Sequence, residues 1–534
     1  MPEAVYGRRD TRELVLVQGI LIVAGVVLVA WFDLQTNLPI LDEYARRWTI
    51  QKIASGQLFS PHGLNVWGFS ANIIGTAVAL GPALLHLEPR FWRLPALPLM
   101  VMEAVFVFLT AQHVGASRTW AALAATVAVC SPLSLSVATG MMTETAFLGL
   151  YAAAIWFCLR WLRDGRDRWW CAFMIGIAVL QRQQGIALAA VLTASLALQW
   201  NRRRLTRPDL LALAATWAWG LAALGFTFLI HYHVIQGSGV PSPHHRELFF
   251  ALYVVISEVP LLGLIALPFL VGLLQRRSDD RRRSWAGAVT VPLAVCALIL
   301  NVILLIAGLN NLFPGDHVTL ASVGTVTLPG KPALLPAPLY PLLQLLAAAT
   351  FIVALVWRRR DWTFRRLGPE GIFLIMCAAA NFPFIYFEGV VIDRYYLIVT
   401  LPVLPLLARW ATEPGQQWRL AKIWAVACPV VLLGYFTVGA QDYIAWQVAR
   451  DGAAKMAYTQ APPWQVDAGF EENAENVWIP AVDNPGANLP HAIVNNPSLR
   501  LITTKKSDPR PGSTYDSISP GKVVVVHSNA SPTP

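Results

Sequence analysis

The sequence predicts an all-α polytopic membrane protein with a small α/β region at its C-terminus. Of its 534 residues, 56% are hydrophobic and only 13% are charged, and the mean hydropathy is +0.51. A soluble protein of this composition could not cover its surface with polar groups. The formal net charge of +10 comes from arginines clustered between apolar segments, which is typical of membrane-protein loops and argues against nucleic-acid binding.

About thirteen apolar segments approach the ~20 residues that a helix needs to cross a bilayer. The predicted spans are residues 14–32, 94–112, 118–136, 144–162, 168–181, 184–200, 209–230, 248–274, 285–308, 338–357, 370–387, 395–411 and 420–439. The short pair 168–181 and 184–200 predicts a hairpin that crosses only part of the membrane, or a re-entrant pair. The first span follows a basic tail without a cleavage site, so we expect a retained helix.

Arginine is concentrated in alternate loops, which predicts the orientation of the chain. The arginine-rich loops contain Arg160, Arg163, Arg166 and Arg168, then Arg202–Arg204 and Arg207, then Arg276, Arg277 and Arg281–Arg283, then Arg358–Arg360, Arg365 and Arg366. The positive-inside rule places these loops and the N-terminus in the cytoplasm of a plasma-membrane protein. The polar residues of the other loops, Asp42, Glu43, Glu144, Arg182, Asp393 and Arg394, and the C-terminus are then predicted on the extracytoplasmic face.

The first external loop is predicted to carry two helices at the membrane surface. Asp42 with Arg46, and Glu43 with Arg47, have the i,i+4 spacing that lets oppositely charged side chains meet on one helical face, so residues 42–57 predict an interfacial helix.

The second surface helix is predicted at residues 69–87, which are apolar but contain Gly75, Gly81 and Pro82. If this segment spanned the membrane, every later orientation would invert and the arginine pattern would be lost.

The character of the chain changes after Gly439, which predicts two domains. Residues 1–439 form the predicted transmembrane domain, and residues 440–534 form a polar extracytoplasmic domain rich in Pro, Asn, Asp and Ser. The expected elements of the second domain are a helix at 440–458 and β-type runs at 477–482, 499–504 and 522–527.

The adjacent acids Asp42 and Glu43 are the first candidates for chemistry. A carboxylate there could act as a general base toward an acceptor hydroxyl or bind a divalent metal. Alternatively, the acids stabilise a helix N-terminus and pair with the following arginines. Glu144 is either a functional acid or an acid that the helix dipole alone explains, because it lies at the start of a span with Thr143 as a candidate N-cap.

Arg182 and Arg394 are the candidate anion-binding residues. Arg182 lies in a Gln-Arg-Gln-Gln sequence that includes Gln183 and interrupts an apolar region, and guanidinium groups match phosphate geometry. The alternative is a hairpin tip that merely reaches water. Arg394 follows Asp393 and precedes Tyr395, whose ring offers a stacking surface, or the acid and the arginine form only a local turn pair.

Other types of site have little support in the sequence. His231, His233, His244 and His245 share a predicted outer loop, but no acid or cysteine joins them at a metal-binding spacing. The six cysteines lie in or beside apolar segments and are expected to be buried hydrophobic residues. There is no phosphate-binding glycine loop and no nucleophile elbow, which disfavours ATP-driven transport and hydrolase activity.

Five stretches together resemble the GT-C superfamily of membrane glycosyltransferases, in particular its bacterial protein-mannosyltransferase-like and aminoarabinose-transferase-like group. The stretches are Asp42-Glu43, residues 138–144, residues 180–185, residues 392–397 with Leu401-Pro402, and residues 466–471. The resemblance covers about residues 14 to 475. It departs from the family at Glu144, where Asp is usual.

The resemblance implies a transferase that uses a polyprenyl-phosphate-linked sugar and a lipid, glycan or protein acceptor. Asp42 would be the base, with Glu43 as its neighbour or as a ligand of metal or acceptor, and Glu144 would orient the acceptor or the base. The carrier phosphate would be held by Arg182 and Arg394, with Gln183 and Tyr395 beside them. A membrane transporter or flippase, and a non-catalytic scaffold of the same fold, remain alternatives. The sequence determines neither the sugar, the acceptor nor a metal requirement.

Overall fold

The computed structural model describes residues 6–38, 43–58, 73–140, 142–199, 205–237, 260–274, 328, 331, 339–357, 364–388, 393–412, 418–473, 476, 479–480 and 497–527. The predicted span 285–308, Asp42, and the histidines at 244 and 245 lie outside these residues. The side chains of Asp393, His231 and His233 are likewise outside the description.

Helices make up most of the described chain. The first ten are α1 (Tyr6–Gln35), α2 (Glu43–Ala54), α3 (Ile73–Leu84), α4 (Leu97–His113), α5 (Arg118–Cys130), α6 (Pro132–Ala138), α7 (Thr143–Asp164), α8 (Arg168–Gln181), α9 (Ile186–Gln199) and α10 (Arg207–Gly237). They are followed by α11 (Leu270–Leu274), α12 (Leu339–Trp357), α13 (Phe364–Ala379), α14 (Phe382–Glu388), α15 (Leu397–Ala411), α16 (Trp418–Tyr458) and α17 (Phe470–Asn473). Short 3-10 helices precede α4, α9, α11 and α15 at Pro89–Ala96, Gln183–Gly185, Leu267–Phe269 and Asp393–Tyr396.

Six helical segments of the described chain are long and apolar enough to cross a membrane, and a seventh is counted if α5 and α6, bent by 50°, form one span. The six are Arg12–Gln35, Pro89–His113, Thr143–Asp164, Arg207–Leu229, Arg366–Ile385 and Leu420–Tyr458. The chain is thus a multi-pass helical membrane protein, as predicted, and the full count of about thirteen spans stays a prediction.

The short helices α2 and α3 agree with the predicted pair of surface helices. Each has 12 residues, which corresponds to ~18 Å of helix and is well below the ~30 Å hydrocarbon thickness of a bilayer. Helices α8 and α9 have 14 residues each and are joined by the 3-10 turn Gln183–Gly185, so the predicted short hairpin is also present.

Helix α7 is the most enclosed span of the described chain, because 83% of its most apolar window is buried. Gly149 allows α4 to approach it closely, since a Cβ atom at this position would collide with the carbonyl oxygen of Leu99. The alanines Ala152–Ala154 are also buried and continue this tightly packed surface. Helix α7 is therefore tightly packed from its second turn onward.

The C-terminal region contains a four-stranded sheet of β1 (Val466–Asp467), β2 (Leu499–Thr504), β3 (Gly512–Tyr515) and β4 (Gly521–His527) in the order β1-β2-β4-β3. Strands β1 and β2 are parallel, and the other two pairs are antiparallel. The prediction of strands at 499–504 and 522–527 is confirmed. The run predicted at 477–482 is wrong, because residues 479–480 are helical and Pro480 has no N–H for a strand ladder.

The long helix α16 connects the membrane region to this sheet without a break, so the predicted boundary at residue 439 lies inside a helix. The indole N–H of Trp446 donates to the hydroxyl of Thr503 at 3.0 Å. Asp442 accepts hydrogen bonds from the ammonium of Lys331 and from the backbone N–H of Ser519, the latter at 3.1 Å. Burial lowers the pKa of Lys331, and the contact with Asp442 opposes this shift.

Candidate functional site

Glu144 is the centre of a buried cluster of charged residues. It is the second residue of α7, and only 1% of its surface is exposed. Nη1 of Arg182 donates to its Oε1 atom, and the hydroxyl of Thr143 donates to Oε2 at 2.8 Å. Nε of Arg394 lies 3.5 Å from Oε1. Two guanidinium groups from distant parts of the sequence therefore share one carboxylate.

The turn between α8 and α9 places Arg182 in this cluster. The backbone of Arg182 is extended (φ −152°, ψ 136°), which ends α8. Gln181 is fully buried; its side chain donates to the carbonyl of Thr143 at 2.9 Å and accepts from the N–H of Gly75 at 3.1 Å. The side-chain oxygen of Gln184 accepts from Nε of Arg182 at 3.1 Å. The polar tip of the hairpin thus packs into the protein, and Gln183 is half-buried beside it.

Tyr395 lies beside both arginines. The guanidinium carbon of Arg182 is 5.1 Å from the centre of the tyrosine ring, and that of Arg394 is 5.5 Å away. These distances are within the range of cation–π attraction. The 3-10 helix Asp393–Tyr396 brings Arg394 and Tyr395 to the cluster, immediately before α15 begins.

Arg46 adds a third positive charge to the cluster. Only 4% of its surface is exposed, its Nη1 atom lies 3.8 Å from Sδ of Met142, and it is close enough to interact electrostatically with Glu144. Among the described side chains, the three arginines therefore outnumber the carboxylate of Glu144.

Glu43 is fully buried and belongs to a neighbouring network. Arg93 binds it with two hydrogen bonds, from Nε to Oε1 at 2.7 Å and from Nη2 to Oε2 at 2.8 Å, and Nε of Arg47 donates to Oε1 at 3.1 Å. The guanidinium of Arg93 also donates to the carbonyls of Asp33 and Thr36, both at 3.1 Å. These contacts attach the start of α2 to the end of α1.

Asp33 is a buried acid that the sequence reasoning did not select. Its Oδ1 atom accepts the backbone N–H of Gly140 at 2.8 Å and lies 3.9 Å from Nη1 of Arg93. Two signals could have drawn attention to it. It follows the apolar span 14–32 directly, and an acid at the C-terminal end of a helix is disfavoured by the helix dipole, so it needs a compensating partner.

The structure brings together Glu144, Arg182, Arg394 and Tyr395, with Gln183 at the edge. Glu43 lies in the adjacent network, whereas Asp42 immediately precedes the described start of α2. The described residues contain no group of three or more His, Cys, Asp or Glu side chains that could hold a metal ion. The alternative pairing of Glu43 with Arg47 is observed.

The opposite end of α7 carries the predicted cytoplasmic arginines. Its 22 residues correspond to a length of ~33 Å, about the thickness of the hydrocarbon core of a bilayer. At this end Arg163 donates to the carbonyl of His113 at 3.2 Å, and Arg168 pairs with Asp209 at 3.0 Å. The charged cluster and the arginine-rich loop are therefore at opposite ends of one membrane-spanning helix.

Comparison with known proteins identifies a similar family for part of the chain. Residues 77–233, which include Glu144 and Arg182, match the family described as dolichyl-phosphate-mannose-protein mannosyltransferase. No curated protein sequence matches the chain.

One similar solved structure is the crystal structure of ArnT from Cupriavidus metallidurans bound to undecaprenyl phosphate. The sequences are 15% identical, the similarity covers 96% of this chain and 99% of that chain, and the TM-score is 0.38. Over residues 77–233, the predicted resemblance to GT-C membrane glycosyltransferases is confirmed by the match to the mannosyltransferase family.

Proposed function

We propose that the protein is an integral-membrane glycosyltransferase that moves a sugar from a polyprenyl-phosphate carrier to an extracytoplasmic lipid, glycan or protein. The main support is the pair of guanidinium groups, Arg182 and Arg394, on the buried carboxylate of Glu144. The description of the family matched by residues 77–233 names a dolichyl-phosphate-linked sugar, which is a donor of the same chemical class.

The arginines are suited to bind the carrier phosphate. Guanidinium groups form paired, charge-assisted hydrogen bonds with phosphate oxygens, and Arg46 adds a further positive charge nearby. Glu144 and the ring of Tyr395 hold the two guanidinium groups in place before the substrate arrives. Fixed cations are needed at this position, because negative charge develops on the phosphate as the sugar leaves.

The proposed reaction is a single displacement with inversion at the anomeric carbon. The acceptor hydroxyl forms a new C–O bond, the bond to the carrier phosphate breaks, and its electron pair stays on the phosphate. The hydroxyl proton passes to a carboxylate, for which we propose Asp42. Glu43, the residue next to it, fixes the start of α2 through Arg93.

Glu43 is poorly suited to bind a divalent metal. Both carboxylate oxygens of Glu43 accept hydrogen bonds from Arg93, which does not favour this residue as a metal ligand. Arg182 and Arg394 can provide the charge stabilisation that a metal supplies in other phosphate sites.

An apolar cavity of about 180 Å³ beside α15 can hold a short part of a carrier's hydrocarbon chain. The α15 side of the cavity runs from Val399 to Trp410, a distance of ~16 Å along the helix. Helix α15 begins just after Arg394 and Tyr395. We propose that part of the apolar chain lies in this cavity while its phosphate binds at the arginines.

The arrangement of charge favours transfer over transport. Arg46, Glu144, Arg182 and Arg394 gather at one end of α7, whereas a transporter is expected to bind its substrate near the middle of the membrane. Together with the arginine-rich loops, this arrangement supports an extracytoplasmic active site in the plasma membrane. A flippase would move a lipid-linked sugar across liposomes without changing it chemically.

The proposal is tested by analysing envelope glycolipids, polysaccharides and glycoproteins of a deletion strain by mass spectrometry. We expect one sugar modification to disappear, to return with the wild-type chain, and to remain absent with Asp42→Asn at equal expression. Unchanged glycans in the deletion strain would refute glycosyl transfer. Full complementation by Asp42→Asn would refute the assignment of the base.

A further inference from the structure

Asp33 makes a contact that neither the phosphate site nor the proposed base explains. It is fully buried in the last turn of α1. Its Oδ1 atom accepts the N–H of Gly140 at 2.8 Å, and its Oδ2 atom has no hydrogen-bond partner among the described residues. A buried carboxylate at the C-terminal end of a helix is unfavourable for both desolvation and dipole reasons.

The carboxylate of Asp33 is not needed to satisfy the charge of Arg93. The guanidinium of Arg93 already donates hydrogen bonds at distances from 2.7 to 3.1 Å. The acceptors are both carboxylate oxygens of Glu43 and the carbonyl oxygens of Asp33, Thr36 and Leu38. Its distance to the Asp33 carboxylate, 3.9 Å, is longer than a hydrogen bond. Among the described residues, the hydrogen bond that the Asp33 carboxylate makes is therefore with the backbone N–H of Gly140.

Gly140 lies in the turn between α6 and α7, directly before the charged cluster. Its φ of +101° is unfavourable for residues with a side chain, so the turn needs a glycine at this position. Met142, at the end of this turn, contacts Arg46, and the next two residues are Thr143 and Glu144. A displacement of the turn would move the carboxylate away from the guanidinium of Arg182.

We infer that Asp33 is a positioning residue, which holds Gly140 in the connection between α6 and α7 and thereby fixes Glu144 against the arginines of the phosphate site. The residue does not touch the reacting atoms. Its structural role stands independently, whereas its effect on turnover rests on the proposed function. Errors of ~1 Å in the placement of catalytic groups can reduce rates by ~10²-fold, so a single buried hydrogen bond at this turn can matter.

The experiment compares Asp33→Ala, Asp33→Asn and the control Gln18→Leu in detergent or nanodiscs. Gln18 is also a buried polar residue of α1, but its side chain donates to the carbonyl of Ala425, away from the turn. Amide hydrogen exchange is measured for the peptide covering residues 138–146. Binding of a polyprenyl phosphate is measured on the same samples.

We expect Asp33→Ala to raise the exchange rate of this peptide by about 10-fold or more, because Gly140 loses its acceptor. Asp33→Asn keeps an acceptor oxygen, and its exchange should stay within about 3-fold of the wild type. Gln18→Leu should leave this peptide unchanged. In a transfer assay, Asp33→Ala should lower kcat by ~10²-fold with little change in KM, and Asp33→Asn should recover most of this loss.

The outcomes separate this inference from the proposed function. Unchanged exchange at residues 138–146 in Asp33→Ala, or an equal increase in Gln18→Leu, would overturn the positioning role. If the wild type neither binds polyprenyl phosphate nor transfers sugar, the proposed function fails, and the exchange rates still decide the role of Asp33. If Asp33→Ala does not fold, Asp33→Asn and Asp33→Glu are compared instead. Faster amide exchange at residues 138–146 in Asp33→Asn but not in Asp33→Glu would contradict the positioning role.

Discussion

Arg182 and Glu144 form a buried ion pair that links a hairpin tip to the N-terminus of a membrane-spanning helix. Nη1 of Arg182 donates both to Oε1 of Glu144 and to the hydroxyl of Thr143, the latter at 2.9 Å. Nε of Arg394 lies 3.5 Å from the same oxygen of Glu144. Three segments that are distant in sequence are therefore locked together by one acid.

Replacing Glu144 should destabilise the protein, because it leaves two guanidinium groups without their common partner. For Glu144→Gln we expect a loss of about 3–5 kcal/mol in the free energy of unfolding, the usual effect of removing one member of a buried pair. Thermal unfolding in nanodiscs measures this loss. Glu144→Asp keeps the charge and should lose less. A Glu144→Gln variant as stable as the wild type would show that the ion pair contributes little.

Ligand binding should partly rescue Glu144→Gln. A phosphate at the arginines would replace the missing negative charge, and any ligand that binds only the folded state raises stability. We therefore expect a polyprenyl phosphate to increase Tm more for Glu144→Gln than for the wild type. An equal increase in both proteins would place the phosphate away from this cluster.

Arg182 and Arg394 should each be required for binding the carrier phosphate. Charge-assisted hydrogen bonds contribute about 1.5–3 kcal/mol, so Arg182→Gln or Arg394→Gln should weaken affinity by ~10- to 100-fold. Lysine at either position keeps the charge but loses the planar pair of donors, and should recover only part of the affinity. Arg163→Gln, at the opposite end of α7, is the matched control and should bind like the wild type.

The phenyl ring of Tyr395 should contribute more to this site than its hydroxyl. Both guanidinium groups lie 5.1–5.5 Å from the ring centre, so Tyr395→Phe preserves the cation–π contacts and Tyr395→Leu removes them. We expect phosphate affinity to fall by about 3- to 10-fold in the leucine variant and to change little in the phenylalanine variant. Equal losses in both variants would instead indicate a direct contact of the hydroxyl with the substrate.

The apolar helices and the order of the polar motifs were predictable, because hydrophobic length and arginine placement are local properties of a membrane-protein sequence. The sequence also predicts that Glu144, Arg182 and Arg394 share one face. It does not show that Arg93 binds Glu43, since that contact joins residues separated by a loop of unpredictable course. Asp33 was missed for a similar reason, because its partner is a backbone N–H with no signature in the sequence.

Glu43 and Arg93 provide a test of whether the second acid of the predicted pair is structural or chemical. Both side chains are fully buried, so Glu43→Gln or Arg93→Met alone should destabilise the protein by about 3–5 kcal/mol, because each breaks a buried ion pair. The double variant Glu43→Gln with Arg93→Met should lose much less than the sum, since it removes both charges.

The same variants measured for transfer activity distinguish the two roles. If Glu43 only fixes the start of α2, the residual activity of each variant at low temperature should track its folded fraction, and the double variant should recover activity together with stability. If Glu43 takes part in the chemistry, the double variant will be stable but inactive, with kcat reduced by ~10²-fold or more. Because Arg93 holds Glu43 by both oxygens, we expect stability and activity to recover together.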